Sequence, residues 1–269
     1  MQSSDLSATP NDWRVPRYSA AVIATVAFMF VQGVVAIVVG AAGWLAGEPA
    51  VARYGLGYAL LVVLVGVFGI VSRRNIDRVS DVRTAGGATE IRQSSAVWVL
   101  IVSMMTCLAA LALGAAMEIA LHQSGFPGAS VVLGVFGIAV ATMPMLVVAR
   151  RLRRGWVRLT PSGITHRGWA FESSLGWEGV AGAKPAFNGY RMLLVIGYAN
   201  ADWPHRYTAP FWRIDKLPPV PMIELDCRKF DVDEVALAQL VDFYASYPDT
   251  RGELGTEAAI ARFRDRAYG

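Results

Sequence analysis

The chain has 269 residues, of which 54% are hydrophobic and 17% charged, with a mean hydropathy of +0.40. That is too apolar and too sparsely charged for an ordinary soluble domain, and it excludes a disordered or collagen-like chain. Cys107 sits in an apolar run and Cys227 in a distant polar region, so the two cysteines make no disulfide framework.

Four apolar runs are long enough to cross a hydrocarbon core of about 30 Å, which takes roughly 20 helical residues. They cover about 19–47, 54–72, 96–121 and 131–149 and predict a membrane four-helix bundle after an N-terminal tail of 1–18. Ala50-Val51-Ala52 resembles a signal-peptidase site, but the first run is about twice as long as a secretory apolar core allows. Pro144 removes a backbone donor from the fourth helix and predicts a kink there, which a hydroxyl such as that of Thr142 can help to offset. Gly-Val-Phe-Gly-Ile occurs at 66–70 and again at 134–138. Ile70 precedes Arg73 by three residues and Ile138 precedes Arg150 by twelve, so the two copies lie at different heights and do not support an internal repeat.

Arginine counts in the connections set the orientation, because cytoplasmic loops hold the excess of Lys and Arg. The 73–95 segment, read as a loop, holds Arg73, Arg74, Arg78, Arg83 and Arg92, and the fourth span is followed by Arg150, Arg151, Arg153 and Arg154. The 48–53 connection offers only Arg53, and 122–130 has no Lys or Arg. The prediction is a multi-pass protein of the cytoplasmic membrane with both termini in the cytosol. Trp13, Trp44, Trp98 and Trp156 fall near the span ends, where indoles favour the headgroup region.

Ionisable groups at mid-depth mark most transport or catalytic paths through a membrane, and these runs hold few. Glu118 and His122 share one face of the third helix at i, i+4, a spacing that suits a metal or a proton relay. Glu118 lies roughly 33 Å along the axis from Ala96, however, so both side chains reach the outer interface. Gln32 is the remaining polar candidate and reads as an inter-helix hydrogen bond. The pairs Gly43 and Gly47, Ala110 and Gly114, and Gly137 and Ala141 read as close helix packing.

Beyond Gly155 the pattern changes to short alternating strands broken by turns. Trp156–Thr160, Ile164–Arg167, 170–177, 190–198, 205–211 and 222–229 are the candidates, and they predict a small β-barrel or sandwich over 150–269, the barrel being the favoured form. A closing helix follows, with Asp231 as N-cap and Leu237, Leu240, Val241 and Tyr244 on its buried face, and a second short helix begins near Thr256. Residues 155–269 carry 13 basic and 14 acidic side chains, so the domain is expected to have no basic face and no nucleic-acid partner. Trp203 and Trp212 flank Pro204 and Pro210 and are the candidate rim for a peptide or the membrane interface.

Leu159-Thr160-Pro161-Ser162-Gly163-Ile164, Trp177-Glu178-Gly179-Val180 and Ile223-Glu224-Leu225-Asp226 before a helix resemble the pleckstrin-homology-like (PH-like) domains of bacterial multi-spanning membrane proteins. The tail from Tyr247 to Thr256 is similar to actinobacterial members, and 22 Arg against 3 Lys suits a GC-rich genome. The resemblance covers 155–269 and implies a barrel-plus-helix fold and a membrane-side interaction role, with no catalytic residues. The chain holds no Gly-x-Ser-x-Gly elbow, Walker loop or clustered histidines, so no enzyme, cofactor or metal is expected. The expected function is therefore a non-enzymatic membrane protein whose cytosolic domain binds lipid or a protein at the inner leaflet. Arg150, Arg151, Arg153 and Arg154 are its candidate lipid-binding residues. The rival expectation is a small-solute transporter or channel subunit.

Overall fold

The computed structural model describes residues 20–72, 82–122, 126–187 and 190–268. The N-terminal tail with Trp13, the arginines at 73, 74 and 78, and Gly269 lie outside the described residues. The chain divides into two compact units: 20–72 with 95–150, and 82–94 with 151–268.

The first unit is four long apolar helices, α1 (Ala20–Leu45), α2 (Pro49–Val71), α3 (Ser95–His122) and α4 (Pro127–Val148), each long and apolar enough to cross a membrane. Neighbours in sequence pack on one another. Proline opens both α2 and α4, where its missing N–H costs nothing and its fixed φ suits the first turn. As a result α2 begins five residues before the apolar run alone suggests and carries Arg53 in its second turn. The tightest α1–α2 approach is at Gly40 and Gly55: a Cβ on Gly55 would lie 2.8 Å from the Gly40 Cα, so any side chain there would push the helices apart. This pair is not among the predicted ones, of which Gly43 faces Val51 and Gly137 faces Leu113. α4 runs through Pro144 as one helix, and the Thr142 hydroxyl donates to the Ala139 carbonyl at 2.6 Å.

The second unit corrects the expectation of a barrel. Among the described residues nine strands form two open antiparallel sheets rather than one closed barrel. The six-stranded sheet has the order β1 (Val82–Ala85), β2 (Ala88–Arg92), β3 (Trp156–Thr160), β4 (Gly163–Arg167), β5 (Phe171–Gly176) and β8 (His205–Tyr207). The smaller sheet is β6 (Val180–Phe187), β7 (Arg191–Gly197) and β9 (Met222–Asp226). The first two strands come from the segment read as a loop between the second and third spans. They form a hairpin across Gly86 and Gly87, whose φ values of 58° and 72° suit the left-handed turn that matches strand twist. Ile91 then pairs with Val157 and Thr89 with Leu159, so the hairpin extends the sheet that β3 and β4 begin. β6 was not expected because Gly182 and Pro185 interrupt its apolar pattern. It is an edge strand with a bulge between Val180 and Gly182, a place that tolerates a proline.

Inward side chains of both sheets meet the closing helix α5 (Glu234–Ser246) in one core, where Ile91, Leu159, Ile164, Leu193, Leu225, Leu237, Leu240 and Tyr244 are fully buried. The cap of α5 is Asp233 rather than Asp231, its carboxylate accepting from the amides of Val235 and Ala236. Thr256 caps α6 (Glu257–Asp265), which buries Ile260 and Phe263. The tail between these helices is a structural clasp. Buried Arg251 donates to the carbonyls of Tyr244 and Ala245 at the end of α5 and to Glu178, satisfying the last carbonyls of the helix. Tyr244 and Arg262 both donate to the Glu253 carboxylate.

Candidate functional site

Alternation along the six-stranded sheet sends Val157, Leu159 and Ile164 into the core and leaves their neighbours on the opposite face. Cross-strand register lines those neighbours up in two rows. One row runs Arg83, Glu90, Arg158, Thr165 and Ser174, and the other Arg92, Trp156, Arg167, Glu172 and Arg206. A single face thus carries five guanidinium groups against two carboxylates. The even charge count of 155–269 hides this face, because Arg83 and Arg92 come from outside that range and, of the acids within it, Glu172 is the one the two rows contain. The expectation that the domain has no basic face is corrected accordingly.

Glu90 organises the face. Its side chain has no exposed surface. One carboxylate oxygen, Oε1, accepts from Arg83 Nη2 at 2.6 Å and Arg92 Nε at 2.6 Å, and the other, Oε2, from Arg158 Nε at 2.7 Å. Burial alone pushes the Glu90 carboxyl up, but hydrogen bonds from Arg92, Arg83 and Arg158 outweigh it and bring the group to about 2. The three arginines remain 39% to 49% exposed. Arg92 and Arg158 meet the carboxylate through Nε, which leaves their outer N–H groups for another acceptor. Arg158 also lies 4.1 Å over the Trp156 ring. The cluster carries a net charge of +2 in fixed geometry, with an indole at its edge, and this suits phosphate oxygens. At the far edge Arg206 holds Glu172 at 2.8 Å.

No family model, curated protein or solved structure matches this chain. The functional reading therefore rests on the chain's own geometry.

The predicted arginine cluster is partly folded onto the sheet. Arg153 N–H donates to the Trp169 carbonyl, Arg154 Nε to the Gln93 carbonyl, and the Arg151 carbonyl accepts from Thr208. Leu152 between them is buried, and Arg150 has a left-handed φ of 57°. Of the expected indole rim, Trp203 packs against the core and stacks on His205 at 4.0 Å, while Trp212 is half-buried. The exposed apolar side chains of that loop are Phe211, Ile214 and Val220 instead. Glu118 accepts from Arg53 at 3.0 Å and Tyr54 at 2.7 Å, both on α2, and the His122 ring meets the Glu118 backbone carbonyl rather than its carboxylate. Gln32 accepts from Tyr58 at 3.2 Å across α1 and α2. Among the described residues no group of three or more His, Cys, Asp or Glu is placed to hold a metal.

Glu90, Arg83, Arg92 and Arg158 were not read as a site from sequence. A signal was available: Gly86-Gly87 stands between two alternating stretches, Val82–Ala85 and Ala88–Arg92. In sequence, Arg83 and Arg92 count toward the topology signal and so do not stand out as a site.

Proposed function

We propose that the chain is a non-enzymatic, multi-pass protein of the cytoplasmic membrane whose PH-like cytosolic domain holds anionic phospholipid headgroups on the arginine face of its six-stranded sheet. The observation that carries this reading is the Glu90 cluster, in which a buried carboxylate fixes three half-exposed guanidinium groups beside Trp156. Near an anionic leaflet each such arginine contributes about 1 kcal/mol, and fixing them in advance lowers the entropy lost on binding. Connectivity supports the location. Arg92 precedes α3 by three residues and Trp156 follows α4 by eight. The pairing of β2, before α3, with β3, after α4, requires both on one side of the membrane. That side also carries the arginine excess, which supports cytosolic termini. Two sheets with a terminal helix against their inner faces support the PH-like reading.

The test uses the full-length protein in nanodiscs of phosphatidylcholine with or without phosphatidylglycerol. Hydrogen exchange at 88–92 and 156–160 should slow in the anionic discs, and the difference should shrink with added salt. Replacing Arg83, Arg92, Arg158 and Glu90 together by glutamine removes the cluster without stranding a buried charge, and should abolish the difference. Equal exchange in both lipids would overturn the proposal.

A further inference from the structure

On the other side of the same sheet, a pocket of about 240 Å³ opens between β4, β7 and β9, in a position that sequence did not single out. It is lined by His166, which is 4% exposed and has no hydrogen-bond partner at either ring nitrogen among the described residues. Phe171 meets the imidazole edge-on with ring centroids 5.2 Å apart. A buried polar group left unpaired is costly, and in native structures it is normally bonded to something. Burial draws the ring down to about 4, so at neutral pH it offers one N–H and one lone pair.

The acids and bases around it define what fits. Asp215 pairs with Lys229 and also accepts from the Trp169 amide, and Asp226 accepts from Arg228. Glu224 lines the same pocket, is half-buried, and has no hydrogen-bond or ion-pair partner among the described residues. Burial pushes its carboxyl up, the direction expected for a carboxylate lacking a cation. Lys229 and Arg228 thus balance Asp215 and Asp226, Lys216 is exposed to solvent, and Glu224 is left as the lining carboxylate with no cation paired to it among the described residues. An anionic ligand would meet that carboxylate directly. A metal ion is not favoured either, because no group of three ligands converges among the described residues. Met192 and Ile214 give the walls an apolar stretch, and the volume lies below the roughly 300–1,000 Å³ of pockets for drug-sized ligands.

We propose that this pocket binds a small ligand through its primary ammonium group, with Glu224 as the carboxylate that receives it and His166 as a second acceptor. The chemical class is an amine of amino-alcohol size, either free in the cytosol or carried as an ethanolamine headgroup. The inference stands apart from the arginine face, since it uses the opposite side of the sheet and ligands of opposite charge.

The test follows the ring resonances of His166 in full-length protein labelled at histidine and held in phosphatidylcholine nanodiscs, with His166→Phe assigning the signal. Ethanolamine is the probe, at concentrations up to the order of 10 mM. Saturable shifts of the His166 signals are expected with ethanolamine and none with acetate or tetramethylammonium, which lacks N–H donors. Losing a charge-assisted hydrogen bond weakens binding by roughly tenfold or more, so Glu224→Gln should do so, whereas Glu178→Gln, outside this pocket, should not. Thermal melting of each variant checks that it is folded. If discs containing phosphatidylethanolamine shift the His166 signals with no ethanolamine added, the source is the lipid; if they do not while free ethanolamine does, it is the soluble amine. Absence of any saturable shift, an equal response to acetate, or unchanged affinity in folded Glu224→Gln would overturn the proposal.

Discussion

A carboxylate with no exposed surface among three arginines is under two opposing demands. Burial favours the neutral acid, and the guanidinium donors favour the ion; at Glu90 the donors win. The folded-state value of about 2 lies below the ordinary value of 4.5, so folding favours the ionised group. The resulting stability is fully present above about pH 4.5 and is lost as pH falls from there toward 2. A gap of about 2.5 units corresponds to roughly 3 kcal/mol. Hydrogen exchange of the β2 and β3 amides should therefore accelerate between pH 5 and pH 3 beyond the intrinsic pH effect, a component that Glu90→Gln should lack. At neutral pH, Glu90→Ala leaves three guanidinium groups facing one another and should cost about 3–5 kcal/mol locally. An undisturbed β2 in that variant would mean the arginines separate freely into solvent.

At the scale of elements, two positions test how the sheet-bearing unit is held together. Gly255 follows the α5 clasp with φ +85°, and a Cβ there would lie 2.4 Å from the Gly87 carbonyl group, while its amide donates to Thr89 Oγ1 at 2.9 Å. Gly255→Ala brings both a left-handed strain and a backbone clash, so a loss of about 2 kcal/mol or more is expected, read as faster exchange in the β1–β2 hairpin. Asp233→Ala removes the α5 cap and the ion pair to Arg266 at the end of α6 and should cost about 1 kcal/mol, read at the first turn of α5 and the last turn of α6. The sequence shows most elements where period and turn agree. Trp156–Thr160 with its Pro161-Ser162-Gly163 turn is legible because Val157 and Leu159 alternate with polar residues, and the four spans are legible because hydropathy alone decides them. β6 is illegible because a bulge breaks its period and Pro185 is tolerated only by its edge position. The β1–β2 hairpin is signalled locally by Gly86-Gly87, but its place in the sheet is not: β3, the other partner of β2, lies more than sixty residues away, and no local pattern announces a pairing across two membrane helices. The arginine face inherits that difficulty, since its centre, Glu90, is on β2. His166 has the outward look of an ordinary strand residue, and only the three-dimensional placement of Glu224 and Asp215 near it gives it chemistry.

At the scale of the molecule, the sheet-bearing unit is discontinuous: α3 and α4 are inserted between β2 and β3 of one sheet. A polypeptide limited to 150–269 therefore lacks two of six strands, including fully buried Ile91 and Glu90, the acid on which Arg158 rests. Removing them turns β3 into an edge, leaves Val157 and Leu159 without their partners Ile91 and Thr89, and takes away the Thr89 hydroxyl that receives the Gly255 amide. An unpaired strand with an apolar face is an aggregation template, and removing a side chain as large as buried Ile91 alone costs about 2–5 kcal/mol, a large share of the 5–15 kcal/mol that stabilises a typical domain. The 150–269 polypeptide should therefore aggregate or elute as an expanded species in size exclusion. Joining 82–94 to its N-terminus through a flexible linker, in place of α3 and α4, should give a monomer with dispersed amide resonances. The linker must let the chain run from Ser94 to Arg151, whose neighbours Gln93 and Gly155 are hydrogen-bonded in the native sheet at 3.0 Å, so a short Gly/Ser segment suffices. A well-folded 150–269 polypeptide would show that the hairpin only decorates a self-sufficient domain, and the arginine face would then be assembled on a pre-existing sheet rather than built with it.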